Sequence, residues 1–152
     1  MNPGDYQRYD PLIRIRKTQK QLCAQKLAET WMKIKSVSQE IENVGQLQKE
    51  YTHQVQAMQK KSKKVKEISE SFDYLVFLGK QKDLLEKRKD ELETIAENQR
   101  KELEQIMVEE KMLQKIRENR EKVFRQWVQK EIQKNTDDLS GVRFSMKTKG
   151  VI

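Results

Sequence analysis

The chain has 152 residues, of which 37% are charged, 35% hydrophobic and 7% aromatic, with a net charge of +8. An ordinary globular domain draws roughly 45–50% of its residues from the apolar set, so this composition argues against one sizeable globular core. A single cysteine, Cys23, and a single histidine, His53, exclude an internal disulfide and a classical His/Cys metal site or catalytic triad.

Residues 1–9, with Pro3 and Gly4, read as a short flexible lead. Asp10-Pro11 predicts a helix start, because aspartate accepts from free first-turn amides and proline at the first helical position has no amide to waste. Arg14, Arg16 and Lys17 interrupt the apolar Leu12–Ile15 stretch, so no signal peptide is legible. From Pro11 to Gly141 there is no proline, and the only internal glycines are Gly45 and Gly79. Such a run, rich in Lys, Glu, Gln, Leu and Ile, predicts nearly continuous helix. The expectation is an all-α fold, a long two-helix antiparallel coiled-coil hairpin over residues 10–140.

The first arm carries a legible heptad. Leu27, Ile34, Ile41, Gln48 and Val55 fall on one seam position, and Val37, Val44, Tyr51, Met58, Val65 and Phe72 on the other. Trp31 flanks the stripe. Cys23 lies near the inner face as a packed thiol, and His53 lies opposite the seam, facing solvent. Lys60, Lys61, Lys63, Lys64 and Lys66 form the densest basic cluster. It reads as a solvated helix end, or as an electrostatic contact with an acidic protein surface. Nucleic acid is disfavoured, because no aromatic or base-reading chemistry accompanies the charge.

The seam fades near residues 62–71 and restarts out of phase at Tyr74, which places the turn within 66–73, capped by Ser69 or Ser71. Gly79 is the alternative turn. Folding there pairs Ile34 with Ile106 and Leu27 with Leu113, and brings Ile15 near Val123 and Trp127. Each arm would be roughly 90 Å long at about 1.5 Å per residue. Tyr74-Leu75-Val76-Phe77-Leu78 crowds five large apolar residues together. A two-helix seam buries only one stripe, so some of them close a knob at the turn or meet a partner, and the partner reading is preferred. No apolar run approaches the 20 or so residues that span a bilayer.

In the second arm, Leu85, Leu92, Gln99, Ile106, Leu113 and Trp127 take one seam position. Ile95, Ile116 and Val123 take the other, with Glu102 and Glu109 intruding. The polar seam residues mean a loosely packed middle, or one that must flex. Carboxylates sit among i, i+4 partners such as Glu97–Lys101 and Glu118–Lys122, which support helix rather than catalysis. Gly141 is read as a helix stop. Residues 141–152, with Arg143, Lys147 and Lys149, read as a flexible basic tail. There is no phosphate loop and no catalytic constellation, so neither enzyme activity nor a cofactor is expected.

Three stretches carry a family resemblance. They are Tyr9-Asp10-Pro11-Leu12-Ile13-Arg14-Ile15-Arg16-Lys17 followed by Gln25-Lys26-Leu27-Ala28; Tyr74, Phe77 and Leu78; and Leu113-Gln114-Lys115-Ile116-Arg117-Glu118-Asn119-Arg120 running on to Asp137-Asp138-Leu139. In these the chain resembles the FliJ family over nearly its whole length. Gly79 and the Asp-Asp pair depart from the family pattern. The resemblance implies a central stalk of the flagellar type III export ATPase, cytoplasmic and peripheral to the inner face of the cell membrane, without direct membrane insertion. Implied partners are the export ATPase hexamer, the cytoplasmic domain of the export gate, and export chaperones. Mapped onto this sequence, ring contacts fall on Arg14, Arg16, Lys17, Arg120, Arg125 and Lys130. Gate contacts fall on Tyr74, Phe77, Leu84 and Arg88. The stalk of an injectisome is a close variant. A generic cytosolic coiled-coil scaffold would instead form a parallel homodimer, and a polyanion-binding coiled coil would show steep salt dependence.

Overall fold

The computed structural model describes residues 5–61 and 64–148. A short 3-10 turn, Asp5–Arg8, leads into α1, Tyr9–Lys60, and α2 spans Val65–Thr148. The two helices pack as an antiparallel hairpin, and no strand is present among the described residues. Threonines within the helices are satisfied locally: Thr18, Thr52, Thr94 and Thr136 each donate a hydroxyl to the carbonyl four residues back.

The break between the helices comes earlier than the sequence predicts. α1 closes with the Lys61 amide donating to the Ala57 carbonyl at 3.1 Å, and the Lys64 carbonyl accepts the amides of Glu67 and Ile68 that open α2. Residues 66–73 and Gly79 therefore lie inside α2. The physical reason is the lysine run. Lys60 to Lys64 offers no apolar side chain to a seam, and its like charges at helical spacing repel. Ser71 caps nothing; its hydroxyl donates to the Glu67 carbonyl within the helix. Val65 and Phe72, expected on the seam, are exposed.

An earlier turn resets the register. Ile34 packs with Leu92 and Ala96 rather than Ile106, flanked by Leu27 and Val37. Thr30 meets Gln99, and Tyr51 meets Tyr74. Tyr6 and Phe124 face one another, with ring centroids 5.5 Å apart. The second seam position of α2 is also one residue later than its largest side chains suggest. Ala96, Leu103, Glu110, Arg117 and Phe124 turn inward, while Ile95, Ile116 and Val123 stay exposed. Residues three and four beyond a seam position straddle it, so either can face the partner. Here the partner decides, because α1 presents Asp10, Lys20 and Thr30, which need polar mates.

Both chain ends are more helical than expected. Tyr6 and Tyr9 find aromatic and cationic neighbours on α2, which docks the lead from Asp5 onward. Asp10 is used inside the helix, not as its cap. α2 runs through Gly141 to Thr148, since one glycine costs a helix only about 1 kcal/mol relative to alanine. Lys149, and the remainder of the expected tail, lie outside the described residues.

The chain divides into two compact units. One comprises Met1–Lys20 with Gln105–Ile152, and will be called the terminal unit. The other, Gln21–Glu104, is the turn unit.

Candidate interaction surfaces

Among the described residues no cluster of His, Cys, Asp and Glu is built to hold a metal, and every buried side-chain nitrogen or oxygen has a hydrogen-bond partner. Cys23 is buried and His53 exposed. The candidate sites are accordingly surfaces.

In the turn unit, the apolar run after the break divides by helical geometry. Leu78 is buried, while Tyr74 and Leu75 are half-buried. Val76 and Phe77 are exposed, Phe77 by 51%. The Tyr74 ring packs on Tyr51 with centroids 4.4 Å apart and on Phe77 at 6.1 Å. Tyr74 thus anchors the surface more than it offers itself. Leu84 is exposed, and Arg88 leans on Glu91 at 3.5 Å. Phe77, Leu84 and Arg88 recur at steps of seven and four, so they share one helix face beside Tyr74.

In the terminal unit, the six expected ring-binding cations have two fates. Arg14, Lys17, Arg125 and Lys130 are exposed; Arg125 pairs with Glu121, its neighbour one turn back, at 2.9 Å. Arg16 and Arg120 are drawn between the helices. Arg16 Nε pairs with Glu109 at 3.2 Å and its Nη1 donates to Gln19 at 2.8 Å. Arg120 sits over the Tyr9 ring at 5.7 Å.

Sequence reasoning missed the interhelical polar pairs of this unit. Lys20 Nζ lies 2.7 Å from Glu110, whose side chain is nearly buried. Arg117 bridges Asp10 on α1 and Glu121 on α2, and its guanidinium also covers the Tyr6 ring at 5.3 Å. The hydrogen bond to the Asp10 carboxylate raises the Arg117 pKa further above its ordinary value. Only the correct register could have revealed these pairs, because Asp10 and Arg117 lie far apart in sequence. In the turn unit, Arg100 donates to Glu97 at 2.8 and 3.1 Å and holds that carboxyl below the usual range. Arg100, not Lys101, is the ion-pair partner of Glu97, and Glu118–Lys122 is absent from the ion pairs of the described residues.

The chain matches the family described as Flagellar FliJ protein over residues 6–149. The chain belongs to the FliJ family. FliJ is a component of flagellar protein export with a coiled-coil fold, and the family is one of non-catalytic stalk or scaffold proteins. The hairpin of this FliJ chain is that fold, and no described helix is long and apolar enough to cross a membrane. Comparison with curated proteins and with solved structures finds no match.

Proposed function

We propose that this FliJ chain is the central stalk of the flagellar type III protein export ATPase. The terminal unit enters the ATPase ring, promotes its assembly and activity, and itself catalyses nothing. The turn unit reaches the cytoplasmic domain of the export gate and engages export chaperones, on the cytoplasmic side of the membrane.

One observation carries this reading. Arg14, Lys17, Arg125 and Lys130 stand exposed on the unit built from both chain ends, while neighbouring cations are consumed internally. Exposed cations on a stiff helical stem can meet acidic loops without one fixed fit, which suits a ring that changes shape. Phe77 and Leu84 beside Arg88 give the turn unit an apolar surface with a charged edge, the usual make-up of a protein contact.

The test is co-sedimentation with the export ATPase from the same source, with turnover and ring size read together. The wild-type chain should raise both. The combined Arg14→Gln, Arg125→Gln, Lys130→Gln variant should weaken binding about 10–100-fold at physiological salt, with helix content unchanged. Phe77→Ala with Leu84→Ala should leave ring stimulation intact and reduce capture of the gate domain. Equal ring binding by the wild type and the triple-charge variant would refute the assignment of the terminal unit.

A further inference from the structure

From Gln129 to Lys147 every side chain of α2 is exposed, yet the stretch is not uniformly polar. Val128, Ile132, Asn135, Leu139, Val142 and Met146 follow one another at alternating steps of four and three residues. That is a heptad seam. Leu139 is 62% exposed, and Ile132, Val142 and Met146 are exposed with it.

This seam does not continue the one that α1 covers. Continuation from Leu113, Arg117 and Phe124 would reach Trp127 and then Glu131, Lys134 and Asp138, so that stripe loses its apolar character after Trp127. Instead, two successive four-residue steps, Phe124 to Val128 to Ile132, move the apolar stripe around the helix. Such a stutter changes which way a seam faces. A lone helix of about 20 residues is marginal in water, and this one also carries Gly141 and Asn135, so a covering partner would stabilise it.

The surface shows what kind of partner fits. Asn135, Asp138, Leu139 and Val142 frame a shallow depression on the helix. Their spacing, i, i+3, i+4 and i+7, is that of the hole which receives one knob in a coiled coil. In a parallel, in-register pair the knob at this level is Leu139 of a second copy. The flanking charges agree. Asp138 precedes the seam leucine by one residue, and Arg143 follows Asp138 by five. Parallel pairing sets these two positions against each other across the interface, twice by symmetry. Neither residue is in an ion pair among the described residues. Antiparallel packing would instead set the edge bearing Glu131 and Asp138 against itself.

We infer that residues 128–147 of α2 form a parallel, two-stranded homodimeric coiled coil, with Leu139 as its central knob and Asp138–Arg143 pairs between copies. This goes beyond the ring reading, since it concerns the free chain. Three heptads bury less than a standard interface of about 1,600 Å², so the dimer is weak, dissociating in the range of about 10–100 μM.

Sedimentation equilibrium of the full chain, without the ATPase, tests it. The wild type should show a reversible monomer–dimer equilibrium. Leu139→Asp should raise the dissociation constant at least about tenfold, because it buries an unpaired charge in the seam. Asp138→Arg and Arg143→Asp should each weaken the dimer several-fold, and the double swap should restore it. Circular dichroism checks that residues outside the seam keep their helix. A chain that stays monomeric throughout that range, or a dimer indifferent to Leu139→Asp, would overturn the inference. So would a monomer whose ring binding is lost in Leu139→Asp, because the seam would then belong to the ATPase. Loss of ring binding in the triple-charge variant bears only on the stalk reading.

Discussion

The two units use the same helices but are held by different chemistry. The turn unit joins its helices mainly through burial: Ile34, Leu92 and Ala96 form a packed cluster, Val55 and Leu78 are buried, and Thr30 donates to Gln99 at 2.7 Å as a polar pair in the seam. Among its described residues the terminal unit has one fully buried aliphatic side chain, Ile13, and it is joined in large part by Asp10–Arg117, Arg16–Glu109, Lys20–Glu110, the Tyr6–Phe124 contact and two cation–π contacts onto α2. Burial is non-directional and adds with area, whereas ion pairs give little net stability but fix geometry. Stability therefore resides in the turn unit, and the terminal unit supplies mainly specificity of pairing.

The comparison breaks most visibly at Leu92, which is 3% exposed. Leu92→Ala should destabilise the chain by about 2–5 kcal/mol in urea unfolding, whereas Ile116→Ala, at an exposed position of the terminal unit, should change it by no more than about 0.5 kcal/mol. Comparable losses would show that both units rest on burial. A smaller effect is expected at Lys20. Lys20→Met strands the nearly buried Glu110 carboxylate and should cost about 1–3 kcal/mol, while Lys20→Met with Glu110→Leu should return close to wild type.

Salt sharpens the contrast further. Raising ionic strength to about 1 M shortens the Debye length to about 3 Å. Hydrogen exchange should then quicken over residues 9–20 and 105–124, and change little around Ile34 and Leu92. The smallest effect belongs to Glu97. Its pKa is lowered by the Arg100 hydrogen bonds, so their stabilisation is present above the ordinary carboxyl range and lost as pH falls through the folded value. Arg100→Gln should move the Glu97 titration upward in carboxyl NMR, with a minor change in stability because the pair is exposed.

Much of the fold was legible in the sequence. The absence of proline gave the two helices, and the heptad through Leu27, Ile34, Ile41 and Val55 gave the inner face of α1. The turn was not legible, because a lysine run carries no periodicity and Ser69 and Ser71 imitate caps. The α2 phase was misplaced because Ile95 outweighs Ala96 on size, although Ala96 is the buried residue. With the register displaced, Asp10–Arg117 and Tyr51–Tyr74 could not be found. Of the candidate surfaces, the exposure of Phe77, Leu84, Arg125 and Lys130 follows from helical spacing. The inward turn of Arg16 and Arg120 depends on Glu109 and Tyr9 lying opposite, which only the three-dimensional pairing supplies.

The most direct measurement is residue-resolved hydrogen exchange of the full chain, alone and with the assembled export ATPase. The account predicts slower exchange over residues 9–20 and 117–130 in the complex, with residues 66–92 unchanged. Slowing confined to residues 66–92, with the terminal unit exchanging as in the free chain, would contradict it.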